Sequence, residues 1–124
     1  MIGTNDAIDN YEMAKAPARL GQLIDAIYAE LPDVLIVVAS LIPARADRGQ
    51  GDDPELNARI VTYNASVPAV IEMRAGAGKH IALVDMHKPF EADARSLLED
   101  QWHPNLKGYV LIGAQWYKAL QPLL

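Results

Sequence analysis

Residues 34–39 read Val-Leu-Ile-Val-Val-Ala. An unbroken apolar run rich in β-branched residues lacks the alternation of a strand with one wet face. It predicts a strand covered on both sides, as in a parallel sheet. Working backward, Leu20, Leu23, Ile24, Ile27, Tyr28 and Leu31 recur at helical spacing. That helix should start near Pro17, since proline suits a first turn, and stop at Pro32-Asp33. Working forward, residues 40–54 carry Pro43, Gly49, Gln50, Gly51, Asp52 and Asp53, and read as a long exposed loop. Asp53-Pro54-Glu55 then opens a second helix striped by Leu56, Ile60, Tyr63, Val67, Val70 and Ile71. Pro68 is expected to kink or split it, and Gly76-Ala77-Gly78 to end it. Residues 80–85, His-Ile-Ala-Leu-Val-Asp, give a second buried strand. Residues 86–101 read as irregular or briefly helical. A last helix should begin with Pro104 just inside it and bury Leu106, Tyr109, Val110, Gly113, Trp116, Tyr117 and Leu120. Gly113 would let it approach the sheet closely. Met1-Ile2 resembles the tail of an earlier strand. The order strand end, helix, strand, helix, strand, helix is that of an α/β fold with helices on both faces.

A chain of 124 residues supports one domain, spanning 1–124, and its 51% apolar content allows a core. The net charge of −5, without any block of like charge, argues against nucleic acid and against an anionic membrane surface. There is no cysteine, so disulfides and thiolate metal sites are excluded. No segment is long and apolar enough to span a bilayer. Met1-Ile2-Gly3-Thr4-Asn5-Asp6 does not read as a signal peptide, a secreted full-length parent is compatible with that, and the compartment stays open.

In open α/β sheets, sites lie beyond the carboxyl ends of the strands. Two segments there carry informative residues. In Asp100-Gln101-Trp102-His103-Pro104 the aspartate can turn back on the histidine. It would hold one ring nitrogen and leave the other outward, fixing the tautomer and stabilising an imidazolium. The plainer alternative, a turn-capping aspartate before a surface histidine, is commoner on spacing alone. In Gly3-Thr4-Asn5-Asp6 the asparagine amide offers a neutral donor suited to an oxyanion, and the alternative is a polar turn with Asp6 as a cap.

The two segments together, in this order, resemble the GxND and DxxHP blocks of the SGNH (GDSL-like) ester hydrolases. Asn105-Leu106-Lys107-Gly108-Tyr109, with Trp116-Tyr117 beyond, is similar to the HPNxxGY helix of carbohydrate-esterase and acetylxylan-esterase-like members. Leu41-Ile42-Pro43 and Leu83-Val84-Asp85-Met86 fit the same group. The resemblance runs through nearly the whole chain. It implies a three-layer αβα architecture, a partial flavodoxin-like parallel sheet lacking its first strands. It implies an ester hydrolase for short acyl esters, such as acetyl groups on sugars, with no cofactor. His103 would be general base and then acid, Asp100 its orienter and Asn5 an oxyanion donor. Gly3, Thr4 and Asp6 would shape the loop, and Trp102 either lines an acyl or sugar pocket or packs.

The resemblance also defines what is missing. The family's nucleophilic serine precedes the GxND block, so the chain is expected to be an N-terminally truncated domain. Its three serines are Ser40, Ser66 and Ser96. Ser66 falls within a helix, while Ser40 and Ser96 are candidate surrogate nucleophiles only if they reach the base. The alternative function is an inactive fragment serving as a binding or assembly module. A weaker one is a metal hydrolase using His80, His87 and His103 with Asp85, but His80 and His87 should lie at opposite ends of one strand, so no metal site is assigned. Loss of the first strands would bare a sheet edge and predicts a homodimer or higher oligomer through it.

Overall fold

The computed structural model describes residues 2–45 and 55–123. Helix α1 (Thr4–Ile8) and a 3₁₀ turn (Met13–Lys15) lead into α2 (Ala16–Glu30). Strand β1 (Ile36–Ala39) is followed by α3 (Leu56–Gly76) and β2 (Ile81–Val84). Two short helices, α4 (Lys88–Glu91) and α5 (Ala94–Leu97), precede α6 (Leu106–Leu120), which ends in a 3₁₀ turn (Gln121–Leu123). The expected long loop is described only as far as Arg45, and residues 40–45 are buried between the two cores and α3 rather than exposed. Its remaining residues, including Gly49 to Asp53, and the cap Asp53-Pro54 lie outside the described residues.

The two strands pair in parallel, with Ile36 opposite Ile81 and Ala39 opposite Val84. Alternation then sorts the side chains. Ile36, Val38 and Ile81 pack with Leu20, Ile24 and Tyr28 of α2 and with Ile60, Val67 and Ile71 of α3. Val37, Ala39 and Val84 face the other way, onto Met86, Phe90, Leu98 and the inner side of α6. The result is three layers, α2 and α3 over the sheet and α4 to α6 beneath it, which is the α/β class read from the sequence. Tyr28 ties the upper layer to the sheet by donating its hydroxyl to the His80 carbonyl at 2.7 Å.

Several local expectations change. Ile2 lies in a turn and no strand is assigned to it. Gly3, at φ +102°, delivers the chain directly into α1, so the Gly-Thr-Asn-Asp segment is a helix start rather than an open loop. Pro68 does not split α3, which runs unbroken through it. Buried Leu56, Ile60 and Tyr63 before the proline and Ile71 after it hold both halves on one packing face, which outweighs the lost N–H. Pro104 precedes α6 instead of opening it. Asn105 is the N-cap, and its Oδ1 accepts from the Gly108 N–H at 3.1 Å.

The buried face of α6 is also rotated from the expected one. Leu106, Tyr109, Val110 and Tyr117 are exposed, whereas Leu111, Ile112, Trp116 and Ala119 pack inward. Apolar residues circle this helix, so periodicity does not choose a face. Gly108 chooses it. A Cβ there would lie 2.2 Å from the Leu97 carbonyl oxygen, so the helix can sit on that turn only with glycine. Gly113, expected to be the close-approach residue, has nothing within 4 Å of a Cβ position.

Candidate active site

The segment from Leu97 to Asn105 closes on itself. Glu99 N donates to His103 O at 2.8 Å, Asn105 N donates to Leu97 O at 3.0 Å, and Leu98 bridges Pro104 in an antiparallel pairing. Leu98 is buried in the lower core and anchors this loop. At its tip Asp100 Oδ1 accepts the N–H groups of Trp102 (2.9 Å) and His103 (2.8 Å), an Asx-type turn. Asp100 Oδ2 lies 2.7 Å from His103 Nδ1. With a carboxylate as partner Nδ1 carries the proton, so Nε2 is the nitrogen left to accept one. Partial desolvation pushes the Asp100 carboxyl up. Hydrogen bonds from the His103 ring and from the His103 and Trp102 backbones, with the imidazolium charge, outweigh it and hold the pKa at about 2. Trp102 meets the His103 ring edge-on, with centroids 6.1 Å apart.

Asn5 sits in the first turn of α1, exposed, and its amide has no hydrogen-bond partner among the described residues. Its neighbours set the helix. Asp6 accepts from Arg19 Nη2 at 3.0 Å, and the same guanidinium reaches Tyr11 O. Beneath the turn lies Tyr63, close enough that any Cβ on Gly3 would press on its ring. Burial, and then the Asp6 carboxylate, push the Tyr63 hydroxyl pKa up, against a smaller opposing effect of Arg19.

Asn5 and His103 line one cavity of about 440 Å³, together with Thr4, Ile42, Trp102 and Trp116. Local spacing brings Asp100 to His103, and tertiary packing places Asn5 on the same cavity as His103. A base held by a carboxylate, facing a hollow with an uncommitted amide donor and aromatic walls, is suited to acyl transfer.

None of the three serines lines that hollow. Ser40 is buried at the end of β1, where its Oγ accepts from Met86 N at 2.9 Å and His87 N at 3.1 Å and donates to Asp85 Oδ1 at 3.3 Å. It ties the two strand ends together. Ser96 is engaged with Asp93, the N-cap of α5, and Ser66 donates to Tyr63 O at 2.6 Å. His87 is held by Leu41 O at 2.9 Å and Asn64 at 3.2 Å, with Glu91 at 3.3 Å from Nε2. No group of three His, Asp or Glu residues able to hold a metal occurs among the described residues.

The sequence reading passed over Arg45, Asn57 and Asn64. Asn64 accepts from Leu41 N and donates to Leu41 O, both at 2.8 Å, and Asn57 grips Ala44 the same way, also at 2.8 Å. Both side chains come from α3, two turns apart. The sequence signal was a pair of asparagines seven residues apart on one side of an apolar-striped helix.

The fold is of the three-layer α/β kind with a cavity at one end, and the comparisons with known proteins place it in a family. Residues 1–111 match the GDSL-like lipase/acylhydrolase family model, and the chain belongs to that family. A multidomain esterase of Ruminococcus flavefaciens is 29% identical over 123 residues, which is 99% of this chain and 15% of that protein. Among solved structures, a family 3 carbohydrate esterase from Clostridium thermocellum is 26% identical with a TM-score of 0.71, covering 96% of this chain and 52% of that one. A carbohydrate esterase family 3 protein from Talaromyces cellulolyticus is 25% identical with a TM-score of 0.80, covering 99% and 56%. The chain thus spans about half the length of these solved esterases.

Proposed function

We propose that residues 1–124 form one domain of a carboxylic ester hydrolase acting on short acyl esters, acetyl groups on carbohydrate among them. The carbohydrate preference rests on the two esterase relatives and on the aromatic walls of the cavity. His103 takes a proton from the nucleophile and returns it to the leaving alcohol. Asp100 holds the Nδ1–H tautomer, and Asn5 donates its side-chain N–H to the oxyanion. Gly3, Thr4 and Asp6 shape the turn that presents Asn5, and Trp102 is part of the wall. Because Ser40, Ser66 and Ser96 are all engaged elsewhere, the serine nucleophile comes from polypeptide outside these residues. The observation that carries the reading is the shared cavity of Asn5 and the Asp100-bound His103. The free edge of β1 takes a second copy when the chain is alone.

Those tied-up serines also favour a second reading, an inactive module that binds or assembles. Hydrolysis of an aryl acetate separates the two. With water as nucleophile the chain should retain slow turnover, abolished in His103→Ala and lowered roughly 10²-fold in Asn5→Ala. Equal rates in all three proteins would leave the module.

A further inference from the structure

We infer that Arg45 is a positioning residue for the His103–Asp100 pair. This deepens the esterase reading and rests on it for its catalytic consequence. Arg45 is only 7% exposed, and an arginine is so deeply buried only when its donors are used. Its Nη1 donates to Leu98 O at 3.1 Å, and its backbone N–H donates to Gln101 O at 2.8 Å. These two carbonyls bracket the Asx turn of Asp100, one before it and one within it. The tip itself is open to water: the His103 side chain is 66% exposed and that of Asp100 53%. Exposed ion pairs contribute little by themselves, so their geometry needs support from below. Arg45 supplies it from the buried side.

The brace is itself braced. Asn57 holds Ala44, the residue before Arg45, by both backbone groups, and Asn64 holds Leu41 likewise. A continuous path therefore runs from α3 through residues 41–45 to the turn that carries the base. Helix α3 also donates Arg59 Nε to Ala7 O at 2.7 Å, at the helix carrying Asn5. One rigid helix thus supports both walls of the cavity, and Arg45 is its link to the histidine.

Ring ¹⁵N shifts of His103 report its tautomer whether or not the chain is an esterase. The native chain should show a protonated Nδ1. Arg45→Met should shift the ring toward mixed tautomers, and Arg45→Lys, which keeps one donor group, should lie between. In aryl-acetate turnover Arg45→Met should lower kcat by about tenfold to a hundredfold, with KM little changed. A folded Arg45→Met with native ring shifts overturns the proposal. Native hydrogen exchange needs no variant: the Arg45 amide and those of Trp102 and His103 should open together, and independent opening overturns the proposal. Ring shifts that respond to Arg45 in a protein whose turnover ignores His103→Ala would instead keep the brace and remove the esterase reading.

Discussion

Asp100 engages both carboxylate oxygens on its own turn, one with two backbone N–H groups and one with the His103 ring. This has a pH signature. Its folded pKa of about 2 lies below the ordinary aspartate value of about 3.9. The carboxylate's contribution is therefore complete above about pH 4 and is lost as pH falls through about 2. Since the side chain is half exposed, solvent screening reduces it to on the order of 1 kcal/mol. Thermal unfolding of the native chain should fall off between pH 4 and 2 more steeply than that of Asp100→Asn, by a few degrees. Parallel curves would show that Asp100 is not held in this way. The Asp100–His103 pair was legible in the sequence because its partners are one turn apart. Arg45 was not, because both carbonyls it serves lie far along the chain and nothing in its own neighbourhood announces them.

At the scale of elements, the two glycines of α6 make opposite predictions. Gly108→Ala places a methyl 2.2 Å from the Leu97 carbonyl and 3.0 Å from Pro104 Cβ. The helix must then move, and the clash should cost about 1–3 kcal/mol despite alanine's better helix propensity. Gly113 is exposed with open space around it, so Gly113→Ala should stabilise the chain by up to about 1 kcal/mol. Chemical denaturation of the two variants checks both signs. The sequence placed α2, β1, α3 and β2 within a few residues because each has a plain pattern or a flanking breaker. It misjudged the inward face of α6 because that helix is apolar all round, and the decisive contact at Gly108 is made with a distant turn.

At the scale of the molecule, β1 has a strand partner on one side only among the described residues. Beside its other edge a groove of about 340 Å³ is lined by Ile2, Leu23, Ile27, Val37 and Trp116. Unpaired strand edges next to apolar surface recruit another chain. Sedimentation should show concentration-dependent dimerisation, and Leu23→Lys, a half-exposed change on the groove wall, should shift the chain to monomer. A native chain that is monomeric at all concentrations would remove the edge-pairing proposal.

Neighbouring residues alone carried the two strands, though these are half-buried rather than covered on both sides, the amphipathic α2 and α3, and the carboxylate poised against its histidine. Packing between distant segments set the rest: Asn5 and His103 line one hollow, the serines are committed elsewhere, and Arg45 reaches beneath the turn. The difference is physical. Periodicity and tight turns follow from backbone geometry over a few residues, whereas convergence of distant side chains depends on how whole faces pack.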